Sequence, residues 1–296
     1  MSDNNFKEER MSPDHKAMTK IKAESYSKPV RVISVTSGKG GVGKTNVVAN
    51  LALALAQKGR RVLVWDADLG LANLDVLLGL KPEFNIHHLL RGEKTLNEIL
   101  IEGPFGIMVM PASSGIQELS NLGEGQKTLL LSELDAFERK MDFLLIDTGA
   151  GISSNVMYFN LAAQERVVVV SPEPTSITDA YALIKVMASK YNEKKFKILP
   201  NMVSGVREAK AVYSLLTAVA DQHLATLAIS MDYLGFIPRD EMLVKAVKRQ
   251  KAVIEAFPGS GSGKSFVDLA DMILRASPDT SLDGNIKFFW RRLLKV

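Results

Sequence analysis

The 296-residue chain contains no cysteine, which excludes disulfides, thiolate nucleophiles and cysteine-ligated zinc. It holds only 4 histidines, and the adjacent His87 and His88 lack the i, i+4 spacing of a helical metal pair, so they read as surface or core residues. A run of about 18 apolar residues, the length that spans a bilayer, is missing. The polar start MSDNNFKEER has no apolar signal-peptide segment. A cytoplasmic protein that does not cross a membrane is therefore expected. Excess charge of one sign is also scarce. The formal net charge is +4, and the last ten residues hold Lys287, Arg291, Arg292 and Lys295 without an acid, so the remainder is net neutral. A basic nucleic-acid surface is not implied, because the excess is local to the tail. Few aromatics, 7%, accompany 46% hydrophobic and 24% charged residues, the balance of a folded globular protein.

Residues 1–29 are polar, mixed in charge and aperiodic, and read as a flexible arm. From Val30 onward, short β-branched runs at 30–36, 61–65, 106–110, 143–146, 166–170, 197–199 and 233–237 alternate with helical stretches such as 44–57, 176–191 and 209–220. Several runs are apolar at consecutive positions, as expected of strands covered on both faces. The alternation predicts an α/β domain over 30–275, with a doubly wound, mostly parallel sheet flanked by helices. Residues 276–285 have linker composition, and a short apolar and basic segment, 286–296, follows.

The first predicted strand runs into Gly38-Lys39-Gly40-Gly41-Val42-Gly43-Lys44-Thr45, which matches G-x-x-x-x-G-K-T, and a helix opens at Asn46. Strand before and helix after are the context that a phosphate-binding loop needs. Its glycines let backbone N–H groups turn toward phosphate oxygens, and the helix N-terminus adds partial positive charge. The loop residues and Asn46 are the candidate nucleotide contacts, with Lys44 expected at the β and γ phosphates and Thr45 on Mg2+. A second lysine, Lys39, follows the first glycine, from where its cation points away from the centre of its own site.

Carboxylates complete the pattern. The second strand leaves the sheet through Asp66-Ala67-Asp68, and alternation puts both acids on the same side. Open α/β sheets bind ligands beyond the carboxyl ends of their strands, so such acids hold Mg2+ or position water. The apolar strand ending in Asp147-Thr148-Gly149 reads as a Walker B segment, with Asp147 on Mg2+ through water and Gly149 offering its N–H to the γ-phosphate. Gly259 to Ser265 imitates a second phosphate loop, but Pro258 stands where the first glycine belongs, and the stretch reads as a helix entry. Nothing suggests a metal other than Mg2+.

Lys39 to Thr45, read together, resembles the deviant Walker A loop of the MinD/ParA family of P-loop ATPases, and the likeness spans about residues 30–275. The resemblance implies an ATP-bound sandwich homodimer in which Lys39 reaches the partner's phosphates, so that Lys39, Lys44 and Asp68 are the catalytic residues. It implies that Asp68 positions the attacking water and that Asp66 supports the Mg2+ held by Thr45 and Asp147. Asn201 and the backbone around Pro238 and Asp240 would contact adenine, favouring ATP over GTP; the GTPase N-K-x-D pattern is absent at Asn201. Thr45-Asn46, Asp147 to Gly151 and Ser171 to Tyr181 are similar to the flagellar-number branch of the family. That likeness implies regulation of flagellar number or placement through FlhF, C-ring proteins or a flagellar transcription activator. In the arm, Asp14-His15-Lys16-Ala17 is only vaguely similar to the D-Q-A-x-x-L motif of many such arms. A MinD-like division-site regulator is the rival reading. A ParA-like cargo or DNA positioner is disfavoured by the neutral balance, and a non-hydrolysing scaffold by the set Lys44, Thr45, Asp68 and Asp147.

Wound as a helix at about 100° per residue, 286–296 places Ile286, Phe289, Trp290, Leu293, Leu294 and Val296 on one arc and Lys287, Arg291, Arg292 and Lys295 opposite, with Phe288 the exception. Eleven residues rise about 16 Å, short of a hydrocarbon core of roughly 30 Å. The segment is expected to lie reversibly in the interface of an anionic membrane, on the inner face of the cell membrane, unless it docks on its own domain.

Overall fold

The computed structural model describes residues 30–68, 73–112, 123–137 and 140–277. The arm and the tail segment with Lys287, Phe289, Trp290, Arg291, Leu293, Leu294 and Lys295 lie outside the described residues. In chain order the elements are β1 (Arg31–Ser37), α1 (Lys44–Gln57), β2 (Val62–Ala67), α2 (Leu74–Leu77), α3 (Ile86–Leu90), α4 (Leu96–Ile99), β3 (Ile101–Glu102), β4 (Met108–Met110), α5 (Glu124–Phe137) and β5 (Phe143–Ala150). There follow α6 (Ser154–Ala162), β6 (Glu165–Val170), α7 (Pro174–Tyr191), β7 (Lys195–Val203), α8 (Val206–Leu224), β8 (Ser230–Tyr233), β9 (Ile237–Pro238), α9 (Glu241–Lys248), α10 (Val253–Ala256) and α11 (Gly261–Arg275).

The strands pair in the order β3-β4-β2-β5-β1-β6-β7-β8, with β9 added beside β7. Among the described strands only β3 and β4 run antiparallel, so the mostly parallel, doubly wound expectation holds. Consecutive apolar residues are explained by two covered faces. In β2, Val62 and Val64 pack with α1, α10 and α11, whereas Leu63 and Trp65 pack with α3 to α6. Trp65 is fully buried and meets the Phe159 ring edge-on, with centroids 4.8 Å apart. Val168 and Val170 of β6 join a third cluster with α7 and α8. Each fully buried Val, Leu or Ile contributes roughly 1.5–3 kcal/mol, which makes the strands a rigid base for whatever their ends carry.

Arg31 closes the end of the sheet where β1 begins. Its guanidinium makes a two-pronged pair with Glu165, at 2.8 and 2.9 Å, and donates to the carbonyls of Ile273 and Ala276 near the end of α11. The start of β1 and the end of α11 therefore meet at the end of the sheet opposite the phosphate loop. Two details depart from the sequence pattern. The expected strand at 233–237 is two short strands, because Gly235 sits at φ +80° with Met272 packed against it, and this bend separates β8 from β9. The hairpin strand β3, folded onto β4 with Ile101 opposite Val109, was not anticipated.

Candidate active site

Because β2, β5 and β1 are neighbours, the turns that follow them open at one place. Register sets Asp147 beside Val35 on one side and Asp66 on the other. The loop from β1 to α1 begins at Gly38, where a Cβ would lie 2.1 Å from the Asp179 carbonyl in α7, so no side chain fits. It ends at Gly43, which has φ +90° and would bring a Cβ within 2.5 Å of Asn201 Nδ2. Gly43 is also the N-cap of α1 and makes no side-chain cap, so the first N–H groups of this helix are left facing a groove suited to an anion.

Lys44, only 9% exposed, donates through Nζ to Ser37 Oγ at 3.1 Å, and the Ser37 hydroxyl donates onward to the Lys39 carbonyl at 2.6 Å. Burial lowers the Lys44 pKa, and the charges of Asp147 and Asp68 work against that shift. Asp66 and Asp147 are both buried, and burial pushes both carboxyls up; at Asp147 the adjacent Asp66 charge adds to the rise. Asp66 accepts from the backbone N–H groups of Asp68, Asn73 and Leu74 at 3.1–3.2 Å, which ties Asp68 to the start of α2. Its oxygens are thus engaged by backbone.

Asp147 differs. The Thr45 hydroxyl favours its charged form, and its Oδ1 is buried with no hydrogen-bond partner. An orphaned carboxylate oxygen beside a threonine hydroxyl fits Mg2+, which takes one or two carboxylates and completes its shell with water and phosphate. Among the described residues no group of three or more His, Cys, Asp or Glu is arranged to hold a metal, so a cation here would depend on phosphate oxygens too. Asp68 borders a groove of about 700 Å³ with Gly40, Gly41, Lys44 and Thr45. Gly149 lies against it, where a Cβ would come 3.6 Å from Asp68 Oδ1.

Lys39 is held within its own protomer. Its Nζ binds Glu173 Oε2 at 2.5 Å and Thr175 Oγ1 at 2.9 Å, on the segment that opens α7. Sequence reasoning assigned no role to Glu173 or Thr175. A second cavity, of about 280 Å³, is lined by Gly43, Asn46, Asn201, Met202, Pro238, Arg239, Asp240, Leu243, Val244 and Phe266. The residues expected around a base therefore share one apolar pocket next to the loop. Asn201 donates Nδ2 to the Val42 carbonyl at 2.7 Å, which fixes the pocket wall to the loop. The Asp240 carboxylate accepts from Met242 N, Ser262 N and Ser262 Oγ at 2.7–2.9 Å, capping α9 and holding α11.

The imitation loop at 259–265 is a helix entry as expected. Ser260 caps α11 by accepting from Gly263 N at 3.1 Å, and the protein's own Asp240 takes the place that an anion would need. His88 is likewise structural. With Asn85 it forms the capping box of α3, accepting from Asn85 N at 3.3 Å while Asn85 Oδ1 accepts from His87 N at 3.0 Å.

Comparison with known proteins agrees with this geometry. Residues 33–253 match the family model described as the CobQ/CobB/MinD/ParA nucleotide binding domain. The chain is 44% identical over 267 residues to the Antiactivator FleN of Pseudomonas aeruginosa, covering 90% of this chain and 94% of that one. It is 36% identical over 268 residues to the Flagellum site-determining protein YlxH of Helicobacter pylori, covering 90% of each. Among solved structures, the septum site-determining protein MinD complexed with Mg-ADP from Pyrococcus horikoshii superposes with TM-score 0.68 at 26% identity, over 83% of this chain and 96% of that one.

Proposed function

This chain belongs to the MinD/ParA family of nucleotide-binding ATPases, and we propose that its ATP-controlled dimer regulates the number or placement of flagella. The chain is an ATPase that takes ATP with Mg2+ and releases ADP and phosphate. Members of this family dimerise and act with partners. The observation that carries the flagellar reading is the 44% identity, over nine-tenths of the chain, to FleN, against 34–35% over shorter stretches to two septum-site MinD relatives, with the flagellum site-determining relative at 36%. The word antiactivator in the first relative's name favours a flagellar transcription activator as partner; FlhF and C-ring proteins are the other candidates.

In this reading the loop amides and Lys44 hold the β and γ phosphates, and the Gly149 N–H meets the γ-phosphate. Bound Mg2+ would neutralise charge on those phosphates, held by Thr45 and by Asp147 through its orphaned oxygen. Asp68 orients the attacking water, and Asp66 supports the site by accepting from the Asp68 N–H. Lys39 leaves Glu173 and Thr175 and reaches the phosphates bound by the second protomer, so hydrolysis waits for dimerisation. Asn46, Asn201, Pro238 and Asp240 frame adenine.

Membrane attachment is assigned to 286–296. Among the described residues no helix is long and apolar enough to cross a membrane. Cations near an anionic surface contribute roughly 1 kcal/mol each, so one tail binds weakly and two tails on an ATP dimer bind by avidity. Counting flagella and minicells in a deletion strain tests the cellular role. Altered flagellar number or placement with normal division supports it, and minicells with normal flagellation would move the assignment to division-site control.

A further inference from the structure

We infer that Met202 recognises the base, its thioether packing on one face of adenine at the point where the base pocket meets the phosphate groove. The inference rests on the nucleotide-binding reading above. Its support is backbone geometry. A regular strand sends consecutive side chains to opposite faces. In β7 the pairing with β9 shifts, Asn201 lying opposite Ile237 and Val203 opposite Pro238, which leaves Met202 as an extra residue between them. Met202 takes φ +60°, a conformation that residues other than Gly, Asn and Asp adopt uncommonly. As a result Asn201 and Met202, though adjacent in sequence, line the same pocket. Bulges of this kind re-aim side chains and are enriched beside active sites, where local backbone strain also collects.

Three further observations locate the side chain. Met202 lines both the 280 Å³ pocket and the 700 Å³ groove, the two cavities a nucleotide would bridge. Its Cε lies 3.2 Å from where a Cβ on Gly43 would be, directly over the end of the phosphate loop. It is 36% exposed, so it packs incompletely within the protein and keeps apolar surface for a ligand. The rest of that pocket, with Leu243, Val244 and Phe266, is mainly apolar and suits a flat aromatic ring. A methionine sulfur is polarisable and makes favourable aromatic contacts without demanding one rotamer.

The test compares Met202→Gly, Met202→Leu and Asn201→Ala in calorimetric titrations of the full chain with Mg-ATP and with inorganic tripolyphosphate, which has phosphates and no base. Glycine accepts the positive φ, so Met202→Gly should keep or raise the melting temperature of the nucleotide-free protein. It should weaken ATP binding by about three- to ten-fold and leave tripolyphosphate binding unchanged, the size expected for lost sulfur–aromatic contact. Met202→Leu, which keeps apolar bulk, should recover most of the loss. Unchanged ATP affinity in Met202→Gly, or an equal loss for both ligands, would overturn the inference. If Asn201→Ala still lowers ATP binding selectively, that failure is confined to Met202. If neither variant changes the ratio of the two affinities, the base lies outside this pocket and the site reading fails with it.

Discussion

Removing Glu173 should make the ATP-bound dimer form more readily. On the proposed trans role, Lys39 gives up its contacts with Glu173 and Thr175 to serve a partner's phosphates, so dimerisation would break them. The pair is partly wet, with the Lys39 side chain 35% and the Glu173 side chain 61% exposed. Such pairs contribute about 0.2–1 kcal/mol. Two are broken per dimer, so Glu173→Ala should favour dimerisation by about 0.4–2 kcal/mol, or roughly two- to thirty-fold in the dimer dissociation constant. The assay is sedimentation equilibrium at saturating Mg-ATP in an Asp68→Ala background, which suspends turnover while the equilibrium is read. Salt should narrow the gap between the two proteins, because the lost interaction is exposed. An unchanged or weaker dimer in Glu173→Ala would refute the idea that this contact restrains Lys39.

The remaining predictions concern the buried acids and the tail. Without metal and nucleotide, burial pushes the interacting carboxyls of Asp66 and Asp147 up, to about 7 and about 8, well above an unfolded carboxyl. The folded chain then holds more protons than the unfolded one between about pH 4 and pH 8, so stability should fall as pH rises through that window. Thermal melts in EDTA at pH 6 and pH 8 should show the lower midpoint at pH 8, and Asp147→Asn should shrink the difference; an equal difference in the variant would show that the slope arises elsewhere. Deleting 286–296 should abolish sedimentation with anionic liposomes and leave lipid-free hydrolysis within about two-fold, since no phosphate-contacting residue is lost. Full liposome binding by the truncated chain would place membrane attachment elsewhere.

What the sequence made legible was what is local. The phosphate loop is contiguous, and its flanking strand and helix follow from two recognisable periodicities. Strand-end acids are legible because alternation and a parallel sheet dictate where Asp68 and Asp147 emerge. Contacts between distant segments were not legible. Lys39 meets Glu173 across 134 positions, and Arg31 meets Ile273 across 242, and no local pattern encodes either pairing. The need for glycine at position 38 comes from the backbone of Asp179, which only the packed fold brings near. Asp66 looked like its neighbour Asp68 in sequence, yet three backbone donors claim it because the chain folds back at Asn73 and Leu74. The bulge at Met202 lies in its pairing with β9, a short strand that begins after the bend at Gly235.

The central claim is that ATP assembles a dimer whose chemistry needs Lys39 from the opposite protomer. The most direct measurement is the solution mass of Asp68→Ala by light scattering at saturating Mg-ATP, alone and combined with Lys39→Ala. The account predicts twice the 32.4 kDa monomer mass for the single variant, and the monomer mass when Lys39 is also removed. A monomer in the single variant, or an undiminished dimer in the double, would contradict it.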